Sequence, residues 1–187
     1  MTDLQLITGC RRGERSAQRA LYDRYTPRMM GVVRRYLRRE EDAEDVLIEA
    51  FYKVFDKIDT FKDEGSFEGW IRRIVVNEAL MHLRKNHALK KADDLSNLPE
   101  TIVSQRARVT DQLEASDILV LLDQLPDGYR TVFNLYVVEG YKHREIAELL
   151  GVSINTSKSQ LILAKKRLRE LLIALQYPHN HSSSRSA

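Results

Sequence analysis

Two stretches of the chain carry side chains whose type and spacing could recognise nucleic acid. In one, Glu145-Ile146-Ala147-Glu148-Leu149-Leu150 leads through Gly151 and Val152 to Ser153, then to Asn155, Thr156, Lys158, Ser159 and Gln160. Asn155 and Gln160 are chemically able to form paired hydrogen bonds to adenine. Lys165, Lys166, Arg167 and Arg169 follow where cations would neutralise phosphates. In the other, Phe61, Lys62, Phe67 and Trp70 flank a polar loop ahead of Arg72, Arg73, Asn77, Arg84 and Lys85. Stacking surfaces, an amide and cations are what unstacked bases need. One Trp and two Phe residues at this spacing also suit a helical core, and spacing alone favours the core.

Other chemistry finds less support. His82, His87, His143, His179 and His181 have no triad spacing, and no glycine-rich phosphate loop is present. Cys10 is the one cysteine, which excludes an intramolecular disulfide and a cysteine-cluster zinc site. The run Glu40-Glu41-Asp42-Ala43-Glu44-Asp45 lacks a histidine at ligand spacing, so no metal is implied. Acid at a helix start compensates the macrodipole, and by spacing alone Glu44, Asp45 and Glu49 read as a solvated face. No catalytic residue, cofactor or metal is expected, and an enzyme is the least supported class.

These residues need helices to place them. Apolar residues recur at three- and four-residue spacing, and only eight glycines and four prolines interrupt them, so the expected class is all-α. Around Gly151 the pattern is a helix-turn-helix. Ile146, Leu149 and Leu150 share a face, Ala147 allows a close crossing, Gly151 permits the turn, Val152 plugs the corner and Ser153 caps the second helix. Leu161, Ala164, Leu168 and Leu171 then form a buried stripe, opposite Asn155, Lys158, Ser159, Ile162, Lys165 and Arg169. The helix before the turn starts near Tyr141-Lys142-His143-Arg144, without a Ser, Thr or Asp cap. A plain helical hairpin with a solvated basic face is the competing reading, but small residue, turn glycine, cap and basic helix all stand in the right order.

Further upstream, amphipathic segments are expected at Ala17 to Leu37, Ala43 to Ile58 and Phe67 to Leu83, with a loop from Asp59 to Ser66. Val46, Leu47, Ala50, Phe51, Val54 and Phe55 form the apolar face of the second. Two small helical domains, 1–85 and 113–176, are expected, joined by a flexible linker over 86–112 that is at most partly helical. Pro126-Asp127-Gly128 reads as a turn, and residues 177–187 as a disordered tail.

Lys and Arg number 30 against 27 Asp and Glu, so the placement of charge says more than its sum. Met1 leads into Thr2-Asp3-Leu4-Gln5 with no basic, apolar leader, and no apolar run is long enough to span a bilayer. A cytoplasmic protein without membrane insertion is expected.

Taken together, the motifs resemble those of bacterial RNA polymerase sigma factors of the extracytoplasmic-function group of the sigma-70 family. The resemblance rests on Asp42-Ala43-Glu44-Asp45-Val46 with Glu49-Ala50-Phe51 and on Phe67-Glu68-Gly69-Trp70-Ile71-Arg72-Arg73-Ile74 with Asn77. Leu125-Pro126-Asp127-Gly128-Tyr129-Arg130 and the segment Glu145 to Ser153 followed by Thr156-Ser157-Lys158-Ser159 complete it. It implies that Asp42, Glu44, Asp45, Ile48, Glu49 and Phe51 dock on the clamp of the largest subunit of core RNA polymerase. It implies that Phe61, Lys62, Phe67, Trp70, Arg73, Asn77, Arg84 and Lys85 melt the minus-ten element and capture a flipped base. The C-terminal domain would read the minus-thirty-five element of promoter DNA through Ser153, Asn155, Thr156, Lys158, Ser159, Gln160, Lys165 and Arg167, and touch the polymerase flap. An anti-sigma factor is a further partner that the resemblance raises. Ile48 stands where the family often has Gln, Met81 where it often has Asp, and Gln160 where it often has a basic residue.

A linker of these 27 residues would have to be extended to serve both elements. Two DNA turns of ~34 Å require roughly 70 Å, and full extension at ~3.3 Å per residue reaches roughly 90 Å. A flexible coil of that length averages only about 30 Å, so the free form is expected to be compact. Two other readings compete: a helix-turn-helix regulator that binds operator DNA unaided, and a helical adaptor that binds only proteins. The first leaves the acidic helix and aromatic loop without a role, and the second leaves the basic recognition helix without one.

Overall fold

The computed structural model describes residues 1–62, 64–93 and 120–176. Asp63, the expected linker beyond residue 93, the first residues of the second expected domain (113–119) and the tail from 177 lie outside them. Every regular element among the described residues is helical. Chain contacts divide into two units, 1–100 and 101–187.

Unit 1 begins with a helix the periodicity did not announce, α1 (Asp3–Arg11). Thr2 and Gln5 form a capping box: the Gln5 amide donates to Thr2 Oγ1 at 3.3 Å, and the Thr2 amide donates to Gln5 Oε1 at 2.7 Å. Gly13, at φ 72°, turns the chain into α2 (Arg15–Val33). Leu6, Ile7 and Cys10 are buried against it. A Cβ at Gly9 would stand 2.5 Å from that of Ala17, so only glycine lets α1 approach this closely.

The acidic first turn of α3 (Glu40–Asp56) substitutes for a side-chain cap. Its Ala43, Val46, Leu47, Ala50, Phe51 and Val54 are buried, facing Leu21, Met29, Val32 and Val33 of α2 and Ile71, Val75, Val76 and Ala79 of α4 (Phe67–Asp93). At roughly 1.5–3 kcal/mol for each large apolar side chain, this interior dominates the unit's stability. Lys53 and Glu78 (2.7 Å) and His82 and Asp42 (3.7 Å) link α3 to α4. A 3-10 turn, Ile58–Thr60, leads into the loop, and Ser66 Oγ accepts from the Gly69 amide at 3.1 Å to start α4. Helix α4 runs eight residues past 85, into the stretch expected as linker, because nothing from Asn86 to Asp93 breaks a helix.

In unit 2 the described residues are helical from 120 to 123, ahead of α5 (Asp127–Phe133). Pro126-Asp127-Gly128 is therefore not a free-standing turn. Pro126 caps α5, its carbonyl accepting from the Arg130 amide at 3.0 Å, and Asp127 sits in the first helical turn. Helix α5 continues into a π-helical turn, Asn134–Val138, followed by α6 (His143–Leu150) and α7 (Ile154–Gln176). Leu122, Leu125 and Ala164 pack with Tyr129, Phe133 and Leu168 to form the core between α5 and α7. Ile146 and Leu161 are buried too, as the periodicity requires.

Candidate nucleic-acid and partner-protein interfaces

Gly151 ends α6 in the left-handed region, at φ 67° and ψ 33°, where a side chain would be strained. The Val152 amide closes the turn on the Ala147 carbonyl at 3.1 Å. Ser153 then caps α7, its Oγ accepting from the Thr156 amide at 2.9 Å and lying 2.8 Å from Thr156 Oγ1. Ser153 and Thr156 thus spend their polar atoms on building the turn. The missing cap of α6 is supplied from inside the helix: Glu145 Oε2 accepts from the Lys142 amide at 2.7 Å.

The outward face of α7 presents Asn155, Lys158, Ser159, Ile162, Lys165, Lys166 and Arg169, all exposed. Two residues named from sequence sit elsewhere. Gln160 is half-buried, its amide against the backbone of Gly128. Arg167 is exposed but is turned toward α5, where it pairs with Glu170 at 3.2 Å and, next to Lys166, lines a cavity of about 330 Å³ with Pro126 and Tyr129. Lys158 and Lys165 lie on the opposite flank, near His143, and help hold its pKa below the usual imidazole value after the larger effect of burial.

In unit 1, Trp70, Arg73, Asn77 and Arg84 follow one another at helical spacing along α4, with Lys85 adjacent. Arg73, Arg84 and Lys85 are exposed, as is Lys62, while Trp70 and Asn77 are half-buried. Met81 lies within this polar stripe and is exposed. Phe61 and Phe67 are not exposed stacking platforms. Both are buried, with ring centroids 5.1 Å apart, and they support Trp70 at 5.5 and 5.8 Å. Burying two phenyl rings releases more free energy than leaving them in water, and Trp70 remains half-buried at the margin of the cluster.

The third surface is the outer face of α3. Glu44, Asp45, Ile48 and Glu49 are exposed together, with Ile48 60% accessible. Phe51 is buried and edge-on to Tyr22, so it supports this face from beneath instead of touching a partner. Asp42 is half-buried beside His82. Tyr52, 69% accessible and one turn beyond Ile48, belongs to the same face. Its position four residues after an exposed Ile was the signal that sequence reading passed over.

Residues 21–88 match the family Sigma-70 region 2, and residues 115–168 match Sigma-70, region 4. The RNA polymerase sigma factor SigV of Bacillus subtilis is 31% identical over 134 residues, covering 72% of this chain and 78% of that protein. The RNA polymerase sigma-H factor of Pseudomonas aeruginosa is 26% identical over 181 residues, covering 91% and 93%. The ECF sigma-E factor of Haemophilus influenzae is 25% identical over 179 residues, covering 90% and 94%. Among solved structures, the sigma factor RpoE of Bartonella quintana, crystallised with the anti-sigma factor NepR, has a TM-score of 0.55 at 23% identity. It covers 83% of this chain and 96% of its own, a likeness of fold.

The chain belongs to the sigma-70 family, in its extracytoplasmic-function group. It works as such factors do, giving core RNA polymerase promoter-specific initiation. Among the described residues no helix is long and apolar enough to cross a membrane.

Proposed function

We propose that the two units divide the promoter between them. Residues 1–85 dock on the polymerase clamp through Glu44, Asp45, Ile48, Glu49 and Tyr52. They open the minus-ten element with Lys62, Trp70, Arg73, Asn77, Arg84 and Lys85. Residues 113–176 read the minus-thirty-five element through Asn155, Lys158 and Ser159, with Lys165, Lys166 and Arg169 on phosphates, and they touch the flap. The observation that carries this reading is the opposite character of the exposed helix faces: acidic and apolar on α3, cationic on α4 and α7. A polyanion selects the second kind of surface, and a basic or apolar protein groove the first.

The factor works by binding energy, with no bond made or broken by its own side chains, and it acts in the cytoplasm. The relative from Bartonella quintana was solved with an anti-sigma factor, and we propose that this chain takes such a partner too.

Transcription in vitro with core polymerase and a random promoter library tests the division. Selected promoters should share two short elements about two helical turns apart. Gel shifts should show strong specific binding only with core polymerase present. Specific, tight operator binding by the chain alone would overturn the reading.

A further inference from the structure

Helix α1 lies outside the residues that match Sigma-70 region 2, which begin at 21. Yet its C-terminal end bonds directly to the start of the aromatic loop, and its N-terminal end is linked to the loop's other end through Tyr25 of α2. At its C-terminal end, Arg11 Nη2 donates a hydrogen bond to the main-chain carbonyl of Phe61, fifty residues away. At its N-terminal end, Asp3 Oδ1 accepts from the Tyr25 hydroxyl at 2.8 Å and pairs with Arg24 at 3.1 Å. The Tyr25 ring stands edge-on to Phe67, with centroids 5.7 Å apart and planes at 86°. Phe61 and Phe67 in turn form the seat of Trp70. The path from α1 to the indole is thus one hydrogen bond and one ring contact at the start of the loop. At its end it is one hydrogen bond and two ring contacts.

We propose that α1 is the positioning element of this loop: Arg11 and the Asp3–Tyr25 pair fix Phe61 and Phe67, and through them the pose of Trp70 toward a melted promoter. The proposal rests on the reading of the loop and α4 as the minus-ten melting surface. Its physical basis is that a short loop between two pinned ends has fewer conformations to lose when DNA arrives. A hydrogen bond from a guanidinium to a carbonyl is stronger than a neutral one and tolerates partial exposure. The tyrosine stays a donor throughout the physiological range, since burial and then Asp3 push its pKa up to about 12. The clamp face of α3 is not on this path, so polymerase docking should be insensitive to it.

The test uses the full chain with core polymerase and a promoter selected by the wild-type holoenzyme. Permanganate reactivity reports opening, on the duplex and on the same promoter premelted across the minus-ten element. Arg11→Ala and Tyr25→Phe should each reduce opening of the duplex by about five- to tenfold, the scale of one charge-assisted or buried hydrogen bond. Premelted DNA should restore both to within about twofold, and affinity for core polymerase should not change. Arg11→Lys, which can still donate to the Phe61 carbonyl, should retain most activity. Trp70 is the sole tryptophan, so its emission should shift in Arg11→Ala and not in Arg11→Lys. Wild-type opening by both variants, or an equal defect on premelted DNA, overturns the proposal. If Arg11→Ala fails to fold, Tyr25→Phe carries the test. If Asn77→Ala also opens the duplex normally, the minus-ten reading is what fails, and Trp70 emission still decides whether α1 positions the loop.

Discussion

The side-chain amide of Gln160 lies over the backbone of Gly128, so closely that a Cβ added to Gly128 would stand 3.1 Å from the amide nitrogen. The contact joins the start of α7 to the start of α5, and it turns Gln160 away from the exposed row of Asn155, Lys158 and Ser159. A side chain already packed inside its own unit has little left with which to distinguish bases. Gln160→Ala should therefore leave the minus-thirty-five preference unchanged, whereas Asn155→Ala should relax it at one position by roughly 1–3 kcal/mol. Promoter-library sequencing with each variant holoenzyme checks this. A changed consensus with Gln160→Ala would show that the amide leaves Gly128 on binding.

On α3, Ile48 and Tyr52 are apolar surfaces set among carboxylates, and both are more than half accessible. Exposed apolar side chains inside a charged field are typical anchors of a protein interface, with the charges around them guiding approach. Tyr52→Ala should weaken binding to core polymerase about tenfold, equivalent to ~1.4 kcal/mol. Ile48→Asp should weaken it more, while Ile48→Gln should remain within a few-fold because its stem still covers the same surface. Competition against a labelled sigma factor for core polymerase measures all three, and the unfolding temperature should hardly move.

Arg130 supports unit 2 from within. Its side chain is 2% exposed and donates to Asp123 at 2.9 Å and Asp127 at 3.1 Å, while those carboxylates are 44% and 37% exposed. The asymmetry sets the order of two substitutions. Arg130→Met leaves two carboxylates that water already reaches and should cost roughly 1.5–3 kcal/mol, the scale of a hydrogen bond to a charged group. Replacing Asp123 and Asp127 together by Ala takes two counter-charges from a buried guanidinium and should cost more than Arg130→Met, because a charge in the interior depends on its ion pairs far more than a carboxylate in water does. Urea unfolding of the variants, followed by circular dichroism, gives the ranking, and the reverse order would refute the argument.

Much of this was legible in the chain itself, for reasons that particular residues make plain. Gly151 and Ser153 have local jobs, a left-handed turn and an N-cap, and both do them where the sequence put them. Periodicity likewise placed Val46, Leu47, Leu161 and Ala164 inside. It missed α1, which is short and carries a weak apolar stripe, although the Thr2 and Gln5 spacing of a capping box was there to be read. What local pattern could not resolve was competition between two roles for the same residue type. An aromatic ring suits both a base and a core, and only packing shows that Phe61 and Phe67 went to the core while Trp70 stayed at the edge. Gln160 suits both a base edge and a neighbouring helix, and the approach of α5 decides between them.

His143 makes unit 2 sensitive to pH in a direction that its surroundings fix. Its ring stacks on Tyr136, with centroids 4.5 Å apart, and Nδ1 lies 2.9 Å from Ser157 Oγ. Burial first, then Lys158 and Lys165, hold its pKa below the ordinary 6.5. The unfolded chain therefore takes up this proton at a higher pH than the folded one. Stability is complete above about pH 6.5, declines as pH falls from there toward the folded pKa, and levels off below it. His143→Gln should remove that decline, since a neutral side chain cannot titrate. Lys158→Gln with Lys165→Gln should bring the folded pKa closer to 6.5 and shrink the decline without abolishing it, because the burial contribution remains. Titrating the His143 ring by NMR alongside unfolding measured from pH 5 to 8 checks both. A folded pKa at or above 6.5, or an undiminished slope in His143→Gln, would assign the acid sensitivity to another group.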